Sequence, residues 1–147
     1  MEIYTIGFTK RSASGFFGAL RGAGIGRLLD VRLNNSSQLA GFTKRDDLAF
    51  LLHEICGATY SHETLLAPTQ QMLDAYKKSK GSWEEYAERF RELLAERKVE
   101  ERISPDLFAV PTVLLCSETT PEHCHRRLVA EYLRERWGDR AVEIIHL

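Results

Sequence analysis

Short apolar runs alternate with amphipathic helical patterns from one end of the chain to the other. Five runs have the length and composition of buried strands: residues 2–7, 26–32, 58–62, 111–116 and 141–146. Because at least one helical pattern separates each pair of consecutive runs, we expect the strands to pair in parallel. The pattern therefore predicts a three-layer α/β/α domain with a mostly parallel sheet of about five strands.

Capping residues and prolines mark where the predicted helices begin, and glycines mark where several of them end. The clearest helix begins at Ser82, which can form a capping box with Glu85. The last helix is expected to begin with Thr120 as its N-cap and Pro121 as its first residue. Three others are expected to begin at Ser12 or Ser14, at Thr43 and at Pro68.

The expected strand order is 3-2-1-4-5, because crossovers between parallel strands are right-handed. In that order strands one and four flank the point where the connections change direction. Ligands bind at such points, outside the carboxyl ends of the strands. We therefore expect a crevice between the loop after Gly7 and the loop after Cys116.

The bulk properties are those of one globular domain spanning residues 1–147. A net charge of −1 gives no global field toward nucleic acid or an anionic membrane, although a local basic patch would still permit nucleic-acid binding. The N-terminus lacks the features of a signal peptide, and no run reaches the roughly 18 apolar residues of a membrane span. We expect a cytoplasmic protein whose three cysteines are not a disulfide framework.

Reactive side chains gather at the predicted strand ends. Cys116 either is an ordinary buried strand cysteine or stands at the crevice mouth as a nucleophile activated by a helix N-terminus. Asp30 and Arg32 project to the same side of their strand, as a structural ion pair or as a site acid or base beside an anion clamp. Glu118 is the other candidate acid or base. The candidate catalytic residues are thus Cys116, Glu118 and Asp30.

Candidate binding residues surround the same crevice. Arg126 is suited to a bidentate grip on phosphate or carboxylate, and Arg32 can complete an anion clamp. If Cys124 faces the strand, His125 and Arg126 can face the ligand. Phe42 is expected to close the crevice from outside. The full set of candidate binding residues comprises Gly7, Thr9, Arg32, Ser36, His62, Cys124, His125 and Arg126.

A metal site is the competing use of the same segment. Cys116, Glu118, His123, Cys124 and His125 are all capable ligands, and His62 or His146 could join them. The spacing C-x7-C-H matches no common zinc pattern, however, and the chain has no second Cys/His pair. The sequence therefore predicts no resident metal and no cofactor.

Several segments together resemble an uncharacterised family, the domain of unknown function 488. They are Thr5-Ile6-Gly7-Phe8-Thr9, Leu29-Asp30-Val31-Arg32 with Ser36 or Ser37, Gly41-Phe42, Tyr60-Ser61-His62, Leu65-Leu66-Ala67-Pro68, Ser82-Trp83-Glu84-Glu85-Tyr86, and Cys116-Ser117-Glu118 leading to Cys124-His125-Arg126. The resemblance implies a compact α/β domain and singles out the same site residues, but it implies no substrate. A weaker likeness to rhodanese-type sulfurtransferases rests on Leu28-Leu29-Asp30-Val31-Arg32 and concerns architecture alone.

Two functions fit these observations. The first is an enzyme of thiol or acid–base type acting on an anionic, phosphate- or nucleotide-like substrate, since reactive residue types converge on one predicted sheet edge. The alternative is a non-catalytic module that binds a nucleotide, a nucleic acid or a protein through the same crevice.

Overall fold

The computed structural model describes residues 1–36 and 41–147. Its sheet has five parallel strands: β1 (Glu2–Gly7), β2 (Arg27–Asp30), β3 (Thr59–His62), β4 (Thr112–Cys116) and β5 (Glu143–His146). The helices are α1 (Ala13–Gly22), α2 (Arg45–Cys56), α3 (Gln70–Lys77), α4 (Trp83–Arg97), α5 (Val99–Arg102) and α6 (His125–Arg136). The predicted α/β class and five-stranded parallel sheet are confirmed.

Helices cover both faces of the sheet, which gives the predicted three layers. Phe16 and Leu20 of α1 pack with Leu48 and Leu52 of α2 against one face. Phe90 and Leu94 of α4 pack with Leu128 and Val129 of α6 in the cluster on the other face. Strand β4 serves both clusters because its side chains alternate: Val113 and Leu115 join the first, and Leu114 and Cys116 join the second.

The strand order is β3-β2-β4-β1-β5, so the expected order 3-2-1-4-5 was wrong. Strand β4 lies between β2 and β1, and all five of its residues are buried. An apolar strand is satisfied at either interior position, so its hydrophobicity does not distinguish the two orders. The connections leaving β2 and β4 run to opposite edges of the sheet, which moves the expected opening to the carboxyl ends of these two strands.

Three predicted helix starts were also wrong. Helix α6 begins at His125, and its N-cap Cys124 lies four residues beyond the predicted cap Thr120. The hydroxyl of Thr120 donates to the carboxylate of Glu122 at 2.9 Å instead. Helix α2 has Lys44, not Thr43, in the N-cap position. The third displaced start is that of α3, which begins at Gln70 with Thr69 as its N-cap and not at Pro68.

The other expected caps are in place. Ser12 accepts a hydrogen bond from the backbone N–H of Gly15 at 3.0 Å, and Ser82 accepts one from that of Glu85 at 3.1 Å. Among the described residues, no helix is both long and apolar enough to span a membrane.

Candidate functional site

The sheet register places the predicted strand-end residues side by side. Gly7 pairs with Cys116, and Asp30 pairs with Leu115 on one side and with His62 on the other. Val31, the residue after β2, donates its backbone N–H to the carbonyl of Leu115 at 3.1 Å, so the segment after β2 runs alongside the end of β4. The carboxyl ends of β2, β4 and β1 therefore form one continuous edge.

A cavity of about 370 Å³ opens at this edge. Residues that follow β2 and β4 line it, together with side chains of α3 and α4. The lining includes Arg32, Cys116, Glu118, Cys124 and His125 among the predicted site residues. Because β4 lies between β2 and β1, most of the strand-end lining follows β2 and β4, and the loop after β1 contributes Phe8 alone. Gly7 does not line it.

Cys116 and His125 are in contact in the wall of this cavity. The Sγ atom of Cys116 lies 3.3 Å from Nδ1 and 3.7 Å from Nε2 of His125, and Nε2 also lies 2.7 Å from the carbonyl oxygen of Val31. A carbonyl oxygen can accept but not donate, so Nε2 carries a proton. In the neutral imidazole Nδ1 is then the lone-pair nitrogen. Because the sulfur is at similar distances from both ring nitrogens, it lies over the face of the ring, and a rotation of the ring is needed to aim the lone pair of Nδ1 at the thiol as a base requires.

The surroundings of Cys116 favour its thiolate. Burial opposes ionisation, but hydrogen bonds from Cys124 and Ser117 and the positive charge of Arg126 outweigh it, so the pKa of Cys116 is lowered. Burial and the neighbouring Cys116 instead raise the pKa of the Cys124 thiol. The two thiols are thus differentiated: Cys116 is the more acidic of the two, and Cys124 is placed to donate a hydrogen bond to its sulfur.

Arg126 contacts the loop after β4 and does not line the cavity. Its side chain is 2 % exposed, and Nη1 donates to the carbonyl oxygen of Glu118 at 2.7 Å. Its Nε has no hydrogen-bond partner among the described residues. Arg126 is absent from the cavity lining, so its two observed effects are to hold the loop after β4 and to favour the thiolate of Cys116.

The family model for the domain of unknown function DUF488 matches residues 12–133. The chain belongs to the DUF488 family. The match contains β2, β3, β4 and the whole Cys116–Arg126 segment, whereas β1 and β5 lie outside it. Searches of curated proteins and of solved structures returned no match.

Asp30 and Arg32 of the DUF488 chain form a buried ion pair. Nε and Nη2 of Arg32 each donate to a carboxylate oxygen of Asp30 at 2.8 Å, and Nη2 also donates to the carbonyl of Thr43 at 2.7 Å. Tyr60 donates its hydroxyl to the same carboxylate at 2.6 Å. Asp30 is fully buried and does not line the cavity, so these contacts match the ion-pair alternative.

The remaining predicted residues lie around the mouth or away from it. Glu118 lines the cavity and pairs with Lys77 at 3.4 Å, with both side chains about half exposed. His62 bonds through Nε2 to the carbonyl of Arg32 at 2.7 Å, outside the lining. Thr9 and Ser36 are exposed and are likewise not in the lining.

One further expectation, that Phe42 closes the crevice, was wrong. Its ring packs against Phe16 and Phe17, with ring centroids 5.5 and 5.9 Å away, in the cluster on the opposite face of the sheet. Ser37, named in the family resemblance, lies outside the described residues.

Sequence reasoning missed the aromatic wall of the cavity. Tyr76 of α3 and Trp83 and Tyr86 of α4 line it, and His123 stacks on Trp83 with ring centroids 5.1 Å apart and ring planes 20° apart. The helical spacing of Trp83 and Tyr86 indicates a core stripe, and Tyr86 is indeed buried. The order of elements could have predicted this wall. The connection from β3 to β4 begins at the carboxyl edge of the sheet, so its first helices lie near any site at that edge.

The DUF488 site also gathers potential metal ligands. Cys116, Cys124 and His125 each offer one ligand atom, and these atoms lie within 4.8 Å of one another. Thiolate and imidazole suit Zn²⁺. The other ligands considered have different partners: Glu118 pairs with Lys77, His123 stacks on Trp83, and His146 bonds to Thr5 at 2.6 Å. The described residues thus supply three ligands, one short of a closed tetrahedral site.

Proposed function

We propose that this DUF488 protein is an enzyme that uses Cys116 as a thiolate nucleophile on a small anionic, phosphate- or nucleotide-like substrate. The observation that carries the proposal is the chain from Cys116 Sγ to His125 Nδ1 and from His125 Nε2 to the Val31 carbonyl, set in the wall of a cavity. A third group that orients the base is a recurring feature of activated nucleophiles.

The residues fit distinct steps of such a reaction. His125 accepts the thiol proton at Nδ1, and Cys116 Sγ attacks the electrophilic atom of the substrate. A bond from sulfur to that atom forms while the bond to the leaving group breaks. The leaving group takes the electron pair, and the imidazolium of His125 returns a proton to it. Arg126 acts as a positioning residue, because its charge favours the thiolate without touching the cavity.

Cavity size and lining support a substrate of this class. A volume of about 370 Å³ lies within the range of small-molecule sites. Lys77 and Lys78 line the mouth and provide positive charge for an anion, while Tyr76 and Trp83 offer apolar surface for a planar group.

Arg32 also reaches the lining, but its ion pair with Asp30 is buried and fixed. Lys77 and Lys78 make only exposed pairs, with Glu118 and Asp74 at 3.4 Å, which are weak enough to exchange for a bound anion. The lysines therefore replace Arg32 and Arg126 as the principal anion contacts.

Ligand binding can be measured before any reaction is known. Thermal denaturation is followed with AMP, adenosine and inorganic phosphate as probes, for the unmodified chain and for the double variant K77Q/K78Q. We expect AMP to raise the Tm more than adenosine does and the double variant to lose most of that difference. A matched control is K98Q, since Lys98 is absent from the cavity lining. Equal effects of AMP and adenosine would contradict an anionic substrate.

Turnover then separates the enzyme from the binding module. The unmodified chain, C116S and C56S are incubated with a panel of nucleotides and other phosphate esters, and products are followed by mass spectrometry. We expect C116S to abolish the turnover found and C56S to retain it, because the Cys56 thiol packs on the opposite sheet face, 3.9 Å from the carbonyl oxygen of Phe17. AMP binding that survives in C116S without turnover by any variant would favour the non-catalytic module, and full turnover by C116S would exclude the nucleophile.

A further inference from the structure

The proposed nucleophile does not explain why a second thiol lies beside it. Cys124 is 2 % exposed and lines the same cavity as Cys116. The two sulfurs lie within 4.8 Å of each other. Hydrophobic packing accounts for a single buried cysteine, but it does not require two thiols to meet in the wall of one solvent-connected cavity beside a histidine.

The local backbone leaves room for the two sulfurs to bond. A disulfide needs a sulfur separation of about 2.0 Å, so the sulfurs must approach one another from their present positions. Cys116 is the last residue of β4, and Cys124 is the extended N-cap of α6. The segment between them is neither strand nor helix and includes a turn in which Cys124 N–H bonds to Pro121. The carbonyl oxygen of Cys124 accepts the first bond of α6 from the N–H of Arg127 at 3.2 Å, so the sulfurs approach by rotation of the two side chains and by movement of the irregular segment before Cys124.

We infer that Cys116 and Cys124 form a reversible redox pair, in which a peroxide oxidises Cys116 and Cys124 resolves it to a disulfide. The inference concerns the same thiolate as the proposed function and rests on it for the reactive sulfur. It adds an oxidative modification that blocks the site, because the disulfide removes the nucleophile and its hydrogen-bond donor together.

The step balances with hydrogen peroxide as the oxidant. The Cys116 thiolate attacks one peroxide oxygen, the O–O bond breaks, and hydroxide leaves, which gives a sulfenic acid on Cys116. The sulfur of Cys124 then attacks the Cys116 sulfur, the S–O bond breaks, and the departing hydroxide takes up the Cys124 proton as water. Two thiols and one peroxide yield one disulfide and two waters, and two electrons pass from sulfur to oxygen. A dithiol reductant reverses the modification by exchange.

Trypsin digestion provides a direct test, because residues 103–126 contain both cysteines and no internal lysine or arginine. The full chain is treated with stoichiometric hydrogen peroxide, and the remaining thiols are alkylated. After digestion without reduction, the mass of this peptide is measured by mass spectrometry. We expect most of it to be lighter by two hydrogens and unalkylated, and dithiothreitol to restore two alkylation sites. Cys56 lies on a different peptide and should stay reduced, which gives an internal control.

Two variants complete the test. In C124S we expect dimedone to trap a sulfenic acid on Cys116, while C56S should form the disulfide as the unmodified chain does. Sulfinic acid on Cys116 beside a free Cys124, or disulfides between chains, would overturn the inference. So would stoichiometric Zn²⁺ in the purified protein that shields both thiols from peroxide.

The inference and the proposed function fail in different ways. If C116S destroys turnover and peroxide yields no intrachain disulfide, the enzyme stands and the redox pair falls. If the disulfide forms but C116S keeps full turnover, the redox pair stands and the nucleophile falls. Loss of turnover in C56S together with C116S would point to a general requirement for thiols in folding, and circular dichroism of both variants would show it.

Discussion

The carbonyl oxygen of Glu118 occupies the space where a side chain on Gly7 would begin. A Cβ atom built on Gly7 would lie 1.6 Å from that oxygen and 2.8 Å from Nη1 of Arg126. The loops after β1 and β4 are therefore in direct backbone contact, and Arg126 fixes the contact by its hydrogen bond to the same carbonyl at 2.7 Å. This contact holds the segment that leads from Cys116 to α6.

The variant G7A should destabilise the protein. The backbone at Glu118 must move to admit a methyl group, which costs about 1–3 kcal/mol or more for overpacking of this kind. Urea unfolding measures the loss. The matched control is G18A on the exposed side of α1, where an added Cβ meets nothing within 4 Å. It should stabilise the helix by about 0.5–1 kcal/mol, and equal effects of the two variants would refute the close-contact argument.

Breaking the Asp30–Arg32 pair should be far more costly than breaking an exposed one. In D30N the guanidinium of Arg32 stays buried without its counter-charge, at a cost of about 3–5 kcal/mol. Asp46 supplies the control, since it pairs with Arg45 at 3.2 Å with both side chains largely exposed. For D46N the loss should be below about 1 kcal/mol. The free energy of unfolding in urea, measured for both variants, tests this prediction. Similar losses of that free energy would mean that the buried pair contributes no more to stability than a surface pair.

The sequence was sufficient for the fold class, because the evidence for it is local. Apolar runs, the caps Ser12 and Ser82 and the terminating Gly57 each report on their own segment. Strand order was not local: β4 pairs with both β2 and β1, and no pattern within these strands distinguishes that arrangement from the expected one. The start of α6 failed because side-chain bonds of Thr120 and the turn at Pro121 compete with helix formation.

The candidate site, like the fold, could be predicted only in part. Strand-end polarity identified Cys116 and Asp30, since register in a parallel sheet brings strand ends together. It could not assign their partners. Three-dimensional packing decides whether Arg32 pairs with Asp30 or contacts a ligand. It also decides whether the side chain of Arg126 lines the cavity. The aromatic wall escaped notice because Trp83 and Tyr86 satisfy a helical core pattern equally well.

Removing the charge of Arg126 should make Cys116 less reactive. The positive charge lowers the pKa of the thiol, so R126M should raise that pKa and slow alkylation at neutral pH several-fold. R126K, which keeps the charge, should restore part of the rate. R127M is the matched control, because the neighbouring Arg127 lies over Trp83 and near Glu131. A purely structural role for Arg126 would lower stability without changing the pH profile of alkylation.

His125 should act on the reactivity of Cys116 more than on folding. In H125Q the imidazole whose Nδ1 lies 3.3 Å from the thiol sulfur is lost, so turnover should fall by about 10²–10⁴-fold, as for loss of a general base. H53Q is the control, since His53 is an exposed residue of α2. If H125Q and H53Q show equal turnover, His125 is not the general base.

The most direct test is the pH dependence of alkylation at each cysteine. Iodoacetamide labelling is followed by mass spectrometry, with fragment ions assigning the label to Cys116, Cys124 or Cys56. Only the thiolate reacts, so each rate rises with pH and levels off above the thiol pKa. We expect a midpoint for Cys116 below the ordinary thiol value of about 8.5, and midpoints above it for Cys56 and Cys124, whose pKa values burial raises. A midpoint for Cys116 at or above those of the other two thiols would contradict the claim that the site is built around an activated Cys116.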